Sequence, residues 1–304
     1  MGIDGILNVN KPEGKTSFDV VARLRRLTSE KRVGHAGTLD PIATGVLPVC
    51  FGHATRVVQF LAEGSKTYLA QVELGTKTDT FDRQGKVIES NQTTGISLSH
   101  VEEVLSTFRG VIDQVPPAFS ALKQGGRRSY DLARNGIPVE LKSRRVEIKK
   151  LELVDCRIPI IEIKVVCSKG TYIRSLANDI GLGLGCGGHL KNLTRLQCGP
   201  FSIDDAVSPE QFEDAFSKGN WKNLLYPPDF PLSKWEAVIV GGENKKQIRN
   251  GCPLPASEID QISGEYCRAY DLEGNFLAVL HFISGKRLWH PEKVFASEHD
   301  AAPT

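Results

Sequence analysis

Several things are missing from this chain. None of its seven cysteines are spaced Cys-x-x-Cys, and their number is odd. That argues against a disulfide framework or a zinc knuckle and for buried thiols in a reducing, cytoplasmic setting. The histidines, His35, His53, His100, His189, His281, His290 and His299, form neither His-x-x-x-His nor His-Glu-x-x-His, so no metal is expected. No apolar run reaches the ~18 residues that a membrane span needs. The N-terminal MGIDGILNVNKPEG has no basic-then-apolar leader pattern, so a membrane partner and secretion are both disfavoured. The net charge is only +2, which excludes a polycation and confines any nucleic-acid affinity to local basic patches.

What is present reads as an α+β protein. Its 304 residues, 40% hydrophobic and 24% charged, suit one large domain plus a small one. GILNVN (5–10) predicts a buried strand closed by the turn KPEG. Thr16 and Asp19 then have capping-box spacing, and the helix after them carries Phe18, Val21, Leu24 and Leu27 on one face. GVLPVCFG reads as a buried strand and ATRVVQFLAE as a short helix. KTYLAQVELG alternates, with Tyr68, Ala70, Val72 and Leu74 on one face. DRQG is a turn, VEEVLSTF a helix, IIEIKVVCSKG a strand and TYIRSLANDIG the start of a helix. GLGCGG (183–188) matches a dinucleotide fingerprint, but a helical pattern precedes it where the fingerprint needs a strand. Helix termination is the better reading, and no cofactor is expected. YPPDFP (226–231) is the best linker candidate, followed by short strand-like runs. The expected division is therefore 1–230, then a small β-rich domain at 231–295, then a tail at 296–304.

Chemistry-bearing residues are few. Asp40 precedes Pro41, which biases it toward extended backbone, and Gly34, Gly37 and Gly45 around it allow another chain or a ligand to come close. Taken alone it is a turn-stabilising acid. His35, Tyr68, Tyr172 and Arg174 each lie in otherwise apolar or glycine-rich segments. Arg174 is either a surface cation or a partner that keeps Asp40 ionised. Tyr68 and Tyr172 are either core residues or platforms for a base. His35 is a structural histidine, a phosphate contact or a wedge. Residues 121–150 hold nine Lys or Arg against three acids, with Tyr130 among them. The segment is a solvated face or a phosphate grip.

In order, GILNVNKPEGKTSFDVV, GHAGTLDPIATGVLPVCFGHATR, KTYLAQVELGTKTDTFD and CSKGTYIRSLANDIGLGLGCGGHLKNLTRL closely resemble the bacterial TruB family of tRNA pseudouridine-55 synthases. The tail around QIRNGCPLP is similar, more loosely, to PUA-type RNA-binding modules. The resemblance implies a pseudouridine-synthase fold, a mixed and mostly antiparallel sheet with flanking helices, plus a PUA-like domain. It implies that Asp40 is the nucleophile and that Tyr68 stacks on the target base and helps move its proton. It also implies that Arg174 pairs with Asp40, that Tyr172 is a second active-site tyrosine and that Leu193 is an apolar pocket residue. His35 would prop open the tRNA T-loop. Thr38 stands where some relatives carry alanine.

The implied substrate is the T-arm of tRNA, bound by a monomer with no guide RNA. The carboxylate would attack either C6 of the uracil or C1′ of the ribose, and the sequence does not choose. A tRNA-folding chaperone on the same scaffold, and a synthase for another RNA, are the alternatives.

Overall fold

The computed structural model describes residues 2–119, 123–124, 127–128, 141–259 and 262–295. Most of the basic 121–140 stretch, Tyr130 included, and the 296–304 tail lie outside the described residues.

A ten-stranded mixed sheet forms the body of the protein. Along its main path run the strands Leu225–Tyr226, Gly5–Lys11, Ala43–Phe51, Gly188–Cys198, Lys66–Leu74, Ile160–Cys167, Arg144–Arg157 and Gly110–Gln114. Neighbours are antiparallel except at one place: Ala43–Phe51 lies parallel to Gly188–Cys198, with Leu193, Thr194 and Arg195 opposite Ala43, Thr44 and Gly45. The alternation expected for Lys66–Leu74 is present. Tyr68, Ala70, Val72 and Leu74 are buried, and Leu69, Gln71 and Glu73 face the other side half-buried. The buried row packs in the main core with Val20, Val21 and Leu24 of the first helix and with Leu176, Ala177 and Ile180 of a later one.

The first helix, Ser17–Thr28, begins with the expected reciprocal capping box between Thr16 and Asp19. Its buried face differs from the expected stripe. Ser17, Val20, Val21 and Leu24 are buried, whereas Phe18 is 66% exposed. The capping turn sets the rotation of the helix and puts the small hydroxyl of Ser17, not the ring beside it, against the protein. The second helical pattern resolves into a 3-10 turn, Gly52–Val57, and a helix, Val58–Glu63. The glycine-rich run after 180 does end a helix, Ile173–Gly183, and leads into the strand Gly188–Cys198.

The C-terminal part forms a second, five-stranded sheet with its own core, including Leu254, Cys267, Leu280 and Trp289. The stretch 226–231 runs between the two sheets but is tied down. Tyr226 sits opposite Ile6 in the main sheet, and the rings of Tyr226 and Phe230 lie 5.2 and 5.3 Å from that of Phe201. Phe60 packs edge-on against Trp235 at 5.1 Å and Tyr266 at 5.9 Å, joining the small sheet to the large one.

Gly45 shows how tight the parallel junction is. Its φ is +99°, and a Cβ there would lie 2.3 Å from the carbonyl oxygen of Arg195. Gly45→Ala should destabilise the protein by more than about 1 kcal/mol through left-handed strain and forced strand separation, read as a lower thermal midpoint; an unchanged midpoint would contradict this packing.

Candidate active site

Asp40 lies in the loop between the strands Val33–His35 and Ala43–Phe51. The loop is held from beneath by the first helix. The Ser17 hydroxyl, fully buried, accepts from the Leu39 N–H at 2.9 Å and donates to the Leu39 carbonyl at 3.2 Å. The Gly14 N–H donates to the Pro41 carbonyl at 2.8 Å, and the Ala43 N–H returns to the Asp40 carbonyl at 3.0 Å. The segment KPEGKTS thus serves as a pedestal for the acid that follows it by some 25 residues.

Arg174 comes from the first turn of the Ile173–Gly183 helix and is only 6% exposed. Its Nη2 donates to Asp40 Oδ1 at 3.2 Å, and its Nε lies 2.9 Å from Oδ2 without its N–H aimed along that line. Nη2 also donates to the Phe119 carbonyl at 3.0 Å, and Nη1 sits 3.5 Å from Asp82 Oδ2. Asp82 is fixed in turn by the Thr80 hydroxyl at 2.7 Å and the Gln84 N–H at 3.0 Å. The guanidinium therefore faces two carboxylates, one buried and one open to the cleft.

The helix start is fastened as firmly as the loop. The Gln114 side chain accepts from the Tyr172 N–H at 2.8 Å and donates to the Tyr172 carbonyl at 3.0 Å. Ser175 Oγ donates to the Val115 carbonyl at 2.7 Å. These bonds dock the chain leaving the edge strand onto the helix and bring the Phe119 carbonyl to Arg174.

A cavity of about 280 Å³ opens in front of this pair, with Asp40, Tyr68, Tyr172, Arg174 and Leu193 in its wall. Five of the six residues expected at the site thus converge. His35 does not line the cavity. It sits half-buried on its short strand, five residues before Asp40. Burial, and secondarily Arg195, lower its proton affinity, so it is neutral at neutral pH. Lys66 and Arg195, which also line the cavity, and Asp82 and Ser17 behind it, were not singled out from the sequence. Arg195 could have been found, because it follows Leu193 by two residues and shares its strand face. A larger cavity, about 540 Å³, lies in the C-terminal sheet against Phe282, Arg287 and Trp289, and among the described residues no acid lines it. The carboxylate chemistry belongs to the smaller one.

Electrostatics at the pair are opposed. Burial pushes the Asp40 carboxyl above the usual carboxylate range; Arg174 pulls it down, Asp82 pushes it up again, and Lys11 pulls down more weakly. Lys11 itself is lowered to about 8, chiefly by burial, and its ammonium donates to the Pro12 and Lys15 carbonyls. Burial pushes the Tyr68 phenol up to about 12, against the influence of Arg195, so Tyr68 is neutral in the resting site. Such a site can present a carboxylate to a flat ring held between a tyrosine and a leucine.

Comparison with known proteins agrees with this geometry. The model of the "TruB family pseudouridylate synthase (N terminal domain)" matches residues 25–173, and that of the "tRNA pseudouridylate synthase B C-terminal domain" matches 174–230. The boundary between them falls inside the helix start that carries Arg174, so neither match alone contains the ion pair. The chain is 45% identical to tRNA pseudouridine synthase B of Clostridium kluyveri over 90% of its length and 93% of the relative's. It is 41% identical to the protein of that name from Dehalococcoides mccartyi strain BAV1, over 96% of this chain and 97% of the relative. Among solved structures, a chain of a Cbf5–Nop10–Gar1 complex is similar at TM-score 0.71 and 26% identity, covering 92% of this chain and 78% of that one.

The acid limb of the reaction rate tests the pair. If the Asp40 carboxylate does the chemistry, the rate should fall as pH drops through a value above the ordinary aspartate range. Arg174→Gln removes the main charge favouring ionisation, so it should move that limb to higher pH and cost about a hundredfold in rate. A limb that stays in place would show that Arg174 does not tune Asp40.

Proposed function

The chain belongs to the TruB family of tRNA pseudouridine synthases, which are isomerases, and on that premise we propose that it converts the T-loop uridine at position 55 of tRNA, with Asp40 as nucleophile and the base turned out of its stack. The observation that carries this reading is the 3.2 Å Asp40–Arg174 contact in the wall of a cavity that also contains Tyr68 and Leu193.

The reaction moves one bond. The N1–C1′ bond breaks, the uracil turns, and a C5–C1′ bond forms; the C5 proton is lost and N1 gains one. No electrons leave the substrate, so no redox partner is called for. Asp40 forms a transient ester at C1′ or adds to C6 of the ring. In either route the carboxylate is released when C5 joins C1′ and the ring is restored. Arg174 keeps the acid ionised and fixes its orientation. The pedestal of Ser17 and Gly14 limits its travel.

Extruding a uridine from RNA costs a few kcal/mol, roughly, and is offset by contact with the ring of Tyr68 and the side chain of Leu193. Tyr68, placed at the base, takes part in moving its proton, and Tyr172 lines the same cavity. His35, outside the cavity wall, suits the role of a wedge in the opened T-loop. A splayed loop is the kind of RNA that can be read this way. Lys142, Arg144 and Arg145, exposed at the end of the basic segment, suit phosphate contacts along the arm, which would make binding salt-sensitive. We assign 1–230 as the catalytic domain and 231–295 as a PUA-like module that adds RNA affinity. The enzyme works as a monomer in the cytoplasm without a guide RNA.

The test is tritium release from an unmodified tRNA transcript labelled at uridine C5, without guide RNA. Wild type should release about one equivalent per tRNA, and a transcript with cytidine at position 55 should release none. Asp40→Asn should bind tRNA and release nothing. Binding without release by wild type would sink the proposal and favour a tRNA-folding chaperone on the same scaffold.

A further inference from the structure

Arg195 lies at the centre of the site, yet the scheme above gives it no task. Its side chain is 1% exposed, and among the described residues no carboxylate forms an ion pair with it. A buried guanidinium without an acid is expensive, and the cost must be offset by hydrogen bonds. Those bonds are specific. Nε donates to the Val46 carbonyl at 2.6 Å, and Nη2 donates to the Gly37 carbonyl at 2.9 Å. Gly37 precedes Asp40 by three residues and Val46 follows it by six, so one planar group grips the catalytic loop at both ends. Arg195 is also paired with Tyr68 across the antiparallel strand pair, and both line the cavity. Its charge is felt at His35, Lys11 and Lys66 as well.

The loop is shaped to admit this group. Gly37 has φ +78°, and a Cβ there would come within 3.1 Å of Arg195 Nη1. The glycine at 45 lets the Arg195 backbone approach the loop's exit strand. Two of the glycines that allow chain conformations other residues resist are thus explained by one arginine.

We infer that Arg195 is a positioning residue for the reaction: a single guanidinium fixes the loop carrying Asp40 at both ends, beside the strand that carries Tyr68. The inference rests on the roles proposed above for Asp40 and Tyr68. A lysine cannot replace it, because a point charge on a flexible stem has no fork to span two carbonyls. Displacing a nucleophile by a fraction of an ångström slows the chemical step and leaves binding of the RNA, which rests on phosphate contacts elsewhere, unchanged.

Arg195→Lys and Gly37→Ala test this from the two sides of the contact. Single-turnover conversion at saturating tRNA, tRNA affinity and thermal unfolding would be measured for both beside wild type. The expected result is folded variants that bind tRNA like wild type and convert it about tenfold to a hundredfold more slowly. Should Arg195→Lys not fold, Gly37→Ala decides by the same readouts. Variants that convert at the wild-type rate, or whose rate falls only in step with tRNA binding or folded fraction, would overturn the inference. A wild type that binds tRNA and converts none would overturn the functional reading itself, and this inference with it.

Discussion

The site depends on one contact made across the sheet, the ion pair of Asp40 with Arg174, two residues 134 positions apart in the chain. The dependence is uneven: Arg174 has a second carboxylate beside it in Asp82, whereas without Arg174 the Asp40 carboxylate would lose the strongest influence favouring its ionised form. A carboxylate proposed as a nucleophile in a shielded cleft is otherwise a contradiction, since shielding returns its proton. The fold resolves it by driving a helix start against a glycine-rich loop and fastening both with buried side-chain bonds to backbone, Ser17 to Leu39 and Gln114 to Tyr172.

The rest of the architecture follows from keeping those two segments in register. The strand after the Asp40 loop runs parallel to the strand after the Arg174 helix, so both site elements enter the sheet side by side and share one cavity. The strand with Tyr68 pairs with the second of them, which puts the phenol beside the same opening. The small C-terminal sheet joins the large one through Phe60, Trp235 and Tyr266, and among the described residues no acid lines its own cavity.

Much of this was legible in the sequence, for physical reasons. Period-two alternation around Tyr68, the capping box at Thr16 and Asp19, and the glycines around Asp40 are local signals, and each gave the element the structure shows. For Arg174 the residues alone left a surface cation and a partner for Asp40 both open, and the pairing was what the family resemblance implied. What stayed hidden depends on tertiary rotation or distant partners. Phe18 belongs to the right helix but faces outward, because a hydrophobic pattern does not fix where a capped helix begins its turn. Asp82 was absorbed into a turn reading, since turns favour aspartate whatever stands behind them. Arg195 was passed over, because the two carbonyls that converge on it come from a loop about 150 residues away.

The central claim is that Asp40 is a carboxylate at neutral pH because Arg174 holds it so. Carbon-13 NMR of protein labelled at the aspartate carboxyl carbons would test it most directly, with the Asp40 signal assigned by its loss in Asp40→Asn. The account predicts a midpoint above the ordinary aspartate range yet below neutrality, rising in Arg174→Gln. A signal still protonated at pH 7 in wild type, or a midpoint indifferent to Arg174, would contradict it.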